Sequence, residues 1–135
     1  MTRLDNWPAM LALYIDSRRH EPFVWGKNDC CLFAADWVLI ATGQDIAKDF
    51  RGTYEGALGA TRIIREAGGI DCLLRQHAPH LRTISRKAAW RGDLVLRDTP
   101  NGPTLGIVLG AIDAFVGEDG LAFPALDETA LCWKL

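Results

Sequence analysis

An α+β fold in a single domain spanning residues 1–135 is the class this sequence predicts. Three observations carry that prediction. Helical spacing and capping residues fill the first half, short apolar runs cut by glycine and proline turns fill the second, and no linker, repeat or low-complexity tract divides the two. A chain of 135 residues can bury one core but does not divide comfortably into two. Hydrophobic residues make up 49% and charged residues 24%, a globular balance that excludes disorder.

The first helix is expected to open at Asn6, an N-cap residue, with Pro8 in the first turn, where its missing N–H costs nothing. Trp7, Met10, Leu11 and Tyr14 follow at helical spacing, and the pattern fades near Ser17. Pro22 and Gly26 then break both periods and make a loop of "HEPFVWGKN". Asp29 can cap a second helix that runs to Thr42 and stops at Gly43. Leu32, Phe33, Trp37, Val38, Leu39 and Ile40 cover most of its circumference, so it should be the central, buried helix. A third helix is expected from about Thr53 to Ala67, ended by Gly68 and Gly69, and a short helical turn from Asp71 to Gln76. "DLVLRD", "TLGIVLG", "AIDAFVG" and "GLAFPAL" then read as consecutive antiparallel strands, separated by "TPNGP", Gly110 and "GEDG".

Several function classes are disfavoured at this level. A net charge of −2 gives no electrostatic footprint for nucleic acid, and Arg18 and Arg19 read as a solvated helix end. The apolar run from Cys30 to Ala41 is too short to span a bilayer and is interrupted by Asp36, which is expected on a solvent stripe or paired with an arginine such as Arg62. The first residues lack a basic region and a cleavage site, so no signal peptide is expected. Without a secretory context Cys30, Cys31, Cys72 and Cys132 should be reduced thiols. Cys72, His77 and His80, with Cys132, offer soft metal ligands, but their spacing matches no standard zinc pair, so neither a metal nor a cofactor is assigned.

The order of elements and several short motifs together resemble the NlpC-type branch of the papain-like cysteine peptidases. Asp29-Cys30-Cys31-Leu32 stands where that family opens its nucleophile helix. Arg91-Gly92-Asp93-Leu94-Val95 matches its next signature, and Thr104-Leu105-Gly106-Ile107-Val108-Leu109-Gly110 matches the strand that begins with the catalytic histidine. The correspondence covers roughly residues 23–116. "WGKNDCCLFAADWV", "ATGQD", "GTYEGALGATR" and "LGIVLG" are similar also to small phage and prophage proteins encoded among tail genes, near tail-tip or baseplate components. The resemblance implies N-terminal helices packed on a C-terminal antiparallel β-sheet, with Cys30 as the candidate nucleophile.

A thiol at a helix N-terminus is favoured as thiolate, but a cysteine hydrolase also holds a histidine within hydrogen-bond reach of the sulfur. In the resemblance that histidine falls on Thr104, which cannot titrate near neutrality, and the next strand, Ala114-Phe115-Val116, offers no third polar partner. His20 can act as the base only if its loop folds back on Cys30; His77 and His80 read as surface groups. Packing is the competing account of both Cys30 and Cys31, since free cysteines are most often small buried residues. The expected function is therefore a structural or assembly component of a phage tail tip, made in the host cytoplasm and carried in the virion, whose partners are other tail-tip or baseplate proteins. Trp90, Trp133 and Leu135 are its candidate docking residues. Two alternatives stand beside it: an active cysteine amidase or peptidase that cleaves peptidoglycan peptide during genome entry, and a cytoplasmic bacterial enzyme of unspecified substrate.

Overall fold

The computed structural model describes residues 3–135 and contains four helices and one sheet. The helices are α1 (Trp7–Arg18), α2 (Cys30–Thr42), α3 (Ala57–Ala67) and α4 (Ile70–His77). The strands are β1 (Arg82–Ser85), β2 (Leu94–Thr99), β3 (Gly102–Val108), β4 (Asp113–Gly117), β5 (Gly120–Ala122) and β6 (Leu131–Lys134), with a 3-10 turn at Arg86–Ala88. All six strands pair antiparallel in the order β1-β6-β2-β3-β4-β5, so the α+β class holds. Among the described residues, no helix is long and apolar enough to cross a membrane.

Helix α2 is the centre of the molecule because its sequence is apolar almost all round. Leu32, Phe33, Ala34, Ala35, Trp37, Val38 and Ala41 are all buried. On one side it meets α1, where the Tyr14 ring stacks on Phe33 and its hydroxyl donates to the Phe33 carbonyl at 2.6 Å. On another it meets the sheet, whose inner face presents Leu94, Leu105, Ile107, Ala114, Val116 and Trp133. Trp37 is wholly buried, and its indole N–H reaches the Gly92 carbonyl at 2.8 Å, which satisfies the one polar atom such a side chain must bring into a core. Each large side chain covered in this way contributes about 1.5–3 kcal/mol. A second, smaller apolar cluster of Val95, Val108, Phe115, Ala130 and Cys132 closes the sheet's outer face.

The ends of α2 follow the expected signals: Asp29 caps the start, and Gly43 ends it with a left-handed backbone. Other expectations are corrected. Asn6 occupies the N-cap position of α1, yet its side chain makes no capping bond. Helix α3 begins at Ala57, not Thr53, because Tyr54 is drawn instead toward the start of α2. Asp36 does not meet Arg62; it pairs with Arg18 at 2.7 Å and Arg51 at 2.8 Å, and Arg51 also grips Asp45, tying α1, α2 and the segment after Gly43 together. Two strands, β1 and β6, add to the four read from the sequence. Trp133 is a core residue and is removed from the docking candidates, whereas Trp90 is 66% exposed.

Candidate functional site

The site is assembled around the first turn of α2. Asp29 is buried in extended conformation, and its carboxylate faces backbone donors, not the adjacent sulfur. Oδ1 accepts from the Leu32 N–H at 2.9 Å, and Oδ2 accepts from the Gly26 N–H at 3.0 Å and from the Tyr54 hydroxyl. This is a helix cap extended by two further donors. Gly26 has φ +78°, and a Cβ there would meet the Tyr54 carbonyl oxygen at 2.5 Å, so only glycine lets the two loops close over Asp29. Burial, followed by the bond to Asp29, pushes the Tyr54 hydroxyl upward, so it stays protonated and remains a donor.

Cys30 and Cys31, both half-buried, follow at the first two positions of α2, with their sulfurs 3.9 Å apart. A hydrogen bond from the Cys31 thiol, assisted by the backbone N–H groups of Leu105 and Cys31, lowers the Cys30 thiol from its ordinary value against burial and the Asp29 charge. The same pairing, with burial, holds the Cys31 thiol well above its ordinary value. The Leu105 contact arises from the sheet: β3 pairs with β4 only at Ile107 and Val108, which leaves the N–H of Leu105 to the sulfur.

No histidine acts on Cys30 among the described residues. His20 is exposed; its backbone packs beside Gly120 at the turn between β4 and β5. Thr104 lies one residue before Leu105, and its hydroxyl is engaged with the Gly102 carbonyl at 3.1 Å and the Thr99 hydroxyl at 3.2 Å. Strand alternation sends its side chain to the face opposite Leu105, the side Arg97 shares across the ladder. His80 is exposed. His77 is not the plain surface group expected: it stacks edge-on against Phe50, with Nδ1 3.7 Å from Asp49. Among the described residues, no three His, Cys, Asp or Glu side chains are placed to hold a metal ion.

Behind Cys31 opens an apolar cavity of about 70 Å³ between α2, α3 and α4. Trp25, Phe50, Tyr54, Ile63 and Leu73 contribute walls, and His77 contributes a polar edge. No spacing signal marks Tyr54 or Leu105 as site residues, because each reaches α2 through tertiary packing; the glycines flanking "TYE" are a local hint of a shaped loop.

These features define an α+β protein with a paired thiol at the capped start of its central helix. Residues 2–135 match the family described as "Domain of unknown function (DUF6950)", and the chain belongs to that family. No curated protein matches the chain.

Proposed function

We propose that the chain is a structural or assembly component of a phage or prophage tail tip or baseplate, built on an NlpC-like papain-type scaffold without peptidase activity. One observation carries the non-hydrolytic reading: the groups acting on the Cys30 sulfur are a second thiol, backbone N–H groups and the Asp29 charge, and among the described residues His20, His77 and His80 are engaged or exposed elsewhere, leaving no imidazole to protonate a leaving amine. The tail assignment rests on the motif resemblance, and Trp90 supplies an exposed aromatic anchor of the kind that dominates contact surfaces. Leu135 is half-buried against the core and contributes less free surface. The chain is then made in the host cytoplasm and resides in the virion tail.

The test is co-purification with proteins encoded beside it, together with incubation on peptidoglycan. Binding to a tail-tip partner, weakened at least about tenfold by Trp90→Ala and unaccompanied by peptide release, is the expected result. Release of peptide, or no association with any neighbouring tail protein, sinks the reading.

Cys31, next to the lowered Cys30 thiol, lines an apolar cavity, and this favours a second reading, an active cysteine amidase or peptidase on cell-wall peptide with an unconventional base; His20 serves as that base only if its loop leaves Gly120 and folds back on Cys30. Peptide release abolished by Cys30→Ala would establish it; unchanged activity in His20→Ala would remove His20 from the mechanism.

A further inference from the structure

The four thiols occupy four different environments. Cys72 lies on α4 beside Arg75, whose Nη2 is 3.4 Å from the sulfur. Cys132 is wholly buried in β6, on the outer side of the sheet. Cys30 and Cys31 are the pair in contact, 3.9 Å apart and half-buried. Around Cys30 the Cys31 thiol and the N–H groups of Leu105 and Cys31 are donors, and together they outweigh burial and the opposing Asp29 charge. Such a setting stabilises negative charge on the sulfur or on an oxygen bound to it. Amide hydrolysis lacks an imidazole there among the described residues. Thiol oxidation needs none: it requires one thiolate, one resolving thiol and an oxidant.

We propose that Cys30 and Cys31 form a redox-active dithiol in which Cys30 is oxidised by a hydroperoxide and Cys31 resolves the product. The Cys30 thiolate attacks the terminal peroxide oxygen; an S–O bond forms, the O–O bond breaks, and the electron pair leaves on the second oxygen, which takes a proton from water. The Cys31 sulfur then attacks the Cys30 sulfur. An S–S bond forms, the S–O bond breaks, and the departing hydroxide leaves as water with the Cys31 proton. Two thiols thus lose two electrons and two protons, and the hydroperoxide is reduced to an alcohol and water, or to two waters from hydrogen peroxide. The asymmetry of the pair suits these roles, with Cys30 held toward thiolate and Cys31 held as thiol.

The product cannot be a passive staple. Adjacent Cα atoms are about 3.8 Å apart, below the usual disulfide range of about 4.4–6.8 Å, so the bond is strained and readily reduced. Drawing the sulfurs from 3.9 Å to about 2.05 Å distorts the first turn of α2, including the Asp29 cap on Leu32. Oxidation is therefore reversible and is coupled to the loop that Tyr54 and Gly26 hold against Asp29.

The experiment treats the full chain with hydrogen peroxide and maps the tryptic peptide Asn28–Lys48. The expected product is about 2 Da lighter, with both cysteines refusing iodoacetamide until dithiothreitol is added, while Cys72 and Cys132 keep free thiols. In Cys31→Ser the Cys30 sulfenic acid should persist and be captured by dimedone at least about tenfold more than in the wild type. In Cys30→Ser, oxidation of Cys31 should slow to the rate of Cys72. Loss of about 2 Da with Cys31 still alkylatable would mean closure on a backbone nitrogen and overturn the proposal, as would disulfide-linked dimers or Cys72 reacting as fast as Cys30. The wild-type peptide map decides alone if a variant does not fold. A failed tail-partner or peptidoglycan assay leaves this chemistry untouched, so the two readings fall separately.

Discussion

Asp29 shows how much a single side chain can organise here, because one buried carboxylate collects the Leu32 and Gly26 N–H groups and the Tyr54 hydroxyl. Asp29→Ala strips the helix cap and leaves two further donors facing a void, so urea unfolding should show a loss of about 2–4 kcal/mol. Asp29→Asn keeps an acceptor for the cap and should lose less. The charge also matters to Cys30, since the Asp29 carboxylate raises its thiol. Removing the charge moves Cys30 further down, so Asp29→Asn should alkylate faster than the wild type when both are compared below neutral pH; a slower reaction would show that the carboxylate positions the sulfur and does not oppose its ionisation.

At the level of elements, the outer face of the sheet holds a buried ion pair that no local pattern announced. Arg86, on the turn after β1, donates to Asp113 of β4 at 2.9 Å and to the Gly110 carbonyl at 2.6 Å. The Arg86 Nε and Asp113 Oδ2 atoms are buried without hydrogen-bond partners, and burial raises the Asp113 carboxyl although Arg86 pulls it down. Arg86→Ala should cost about 3–5 kcal/mol by leaving the carboxylate buried and poorly paired. Part of that loss should return as pH falls through the raised Asp113 value, because the protonated group needs no counter-charge. The double replacement Arg86→Met with Asp113→Leu should recover to within about 1 kcal/mol of the wild type; failure to do so in urea titrations would show that the pair contributes more than mutual compensation. The same pairing explains why some elements were legible in the sequence and others were not. Helix α2 could be read because Asp29, its apolar surface and Gly43 are local signals. Strand β1, Arg-Thr-Ile-Ser, is mostly exposed at the sheet edge and has too few apolar positions to alternate, and β6 is only four residues long. Both are defined by the partner they find. Helix α3 starts later than the local pattern predicts for a related reason, since the bond from Tyr54 to Asp29 outweighs the helical tendency of its own segment.

Across the whole molecule, burial makes alkaline pH the vulnerable side. Cys132 is pushed from its ordinary value of 9.0 up to about 12, and burial also drives the Tyr14 and Tyr54 hydroxyls upward. A folded value raised above the unfolded one gives stability that is complete below the unfolded value and is lost as pH rises toward the folded one. The urea midpoint should therefore fall from about pH 9 to about pH 12, and Cys132→Val should flatten the early part of that fall. An unchanged slope in that variant would assign the loss to the tyrosines. The candidate site was half-visible at this scale: Cys30 and Asp29 stand together in the sequence, but the N–H of Leu105 reaches the sulfur only once β3 has docked on α2. The strand order adds a kinetic consequence. Strands β1 and β2 flank β6 and do not pair with each other, so residues 82–85 and 94–96 wait for residues 131–134 to enter between them. Because such distant contacts close slowly, the helical half can collapse well before the sheet is continuous. Any form in which β6 has not yet entered would leave two unpaired strand edges flanking a gap, open to chaperones or to pairing with another copy of the chain.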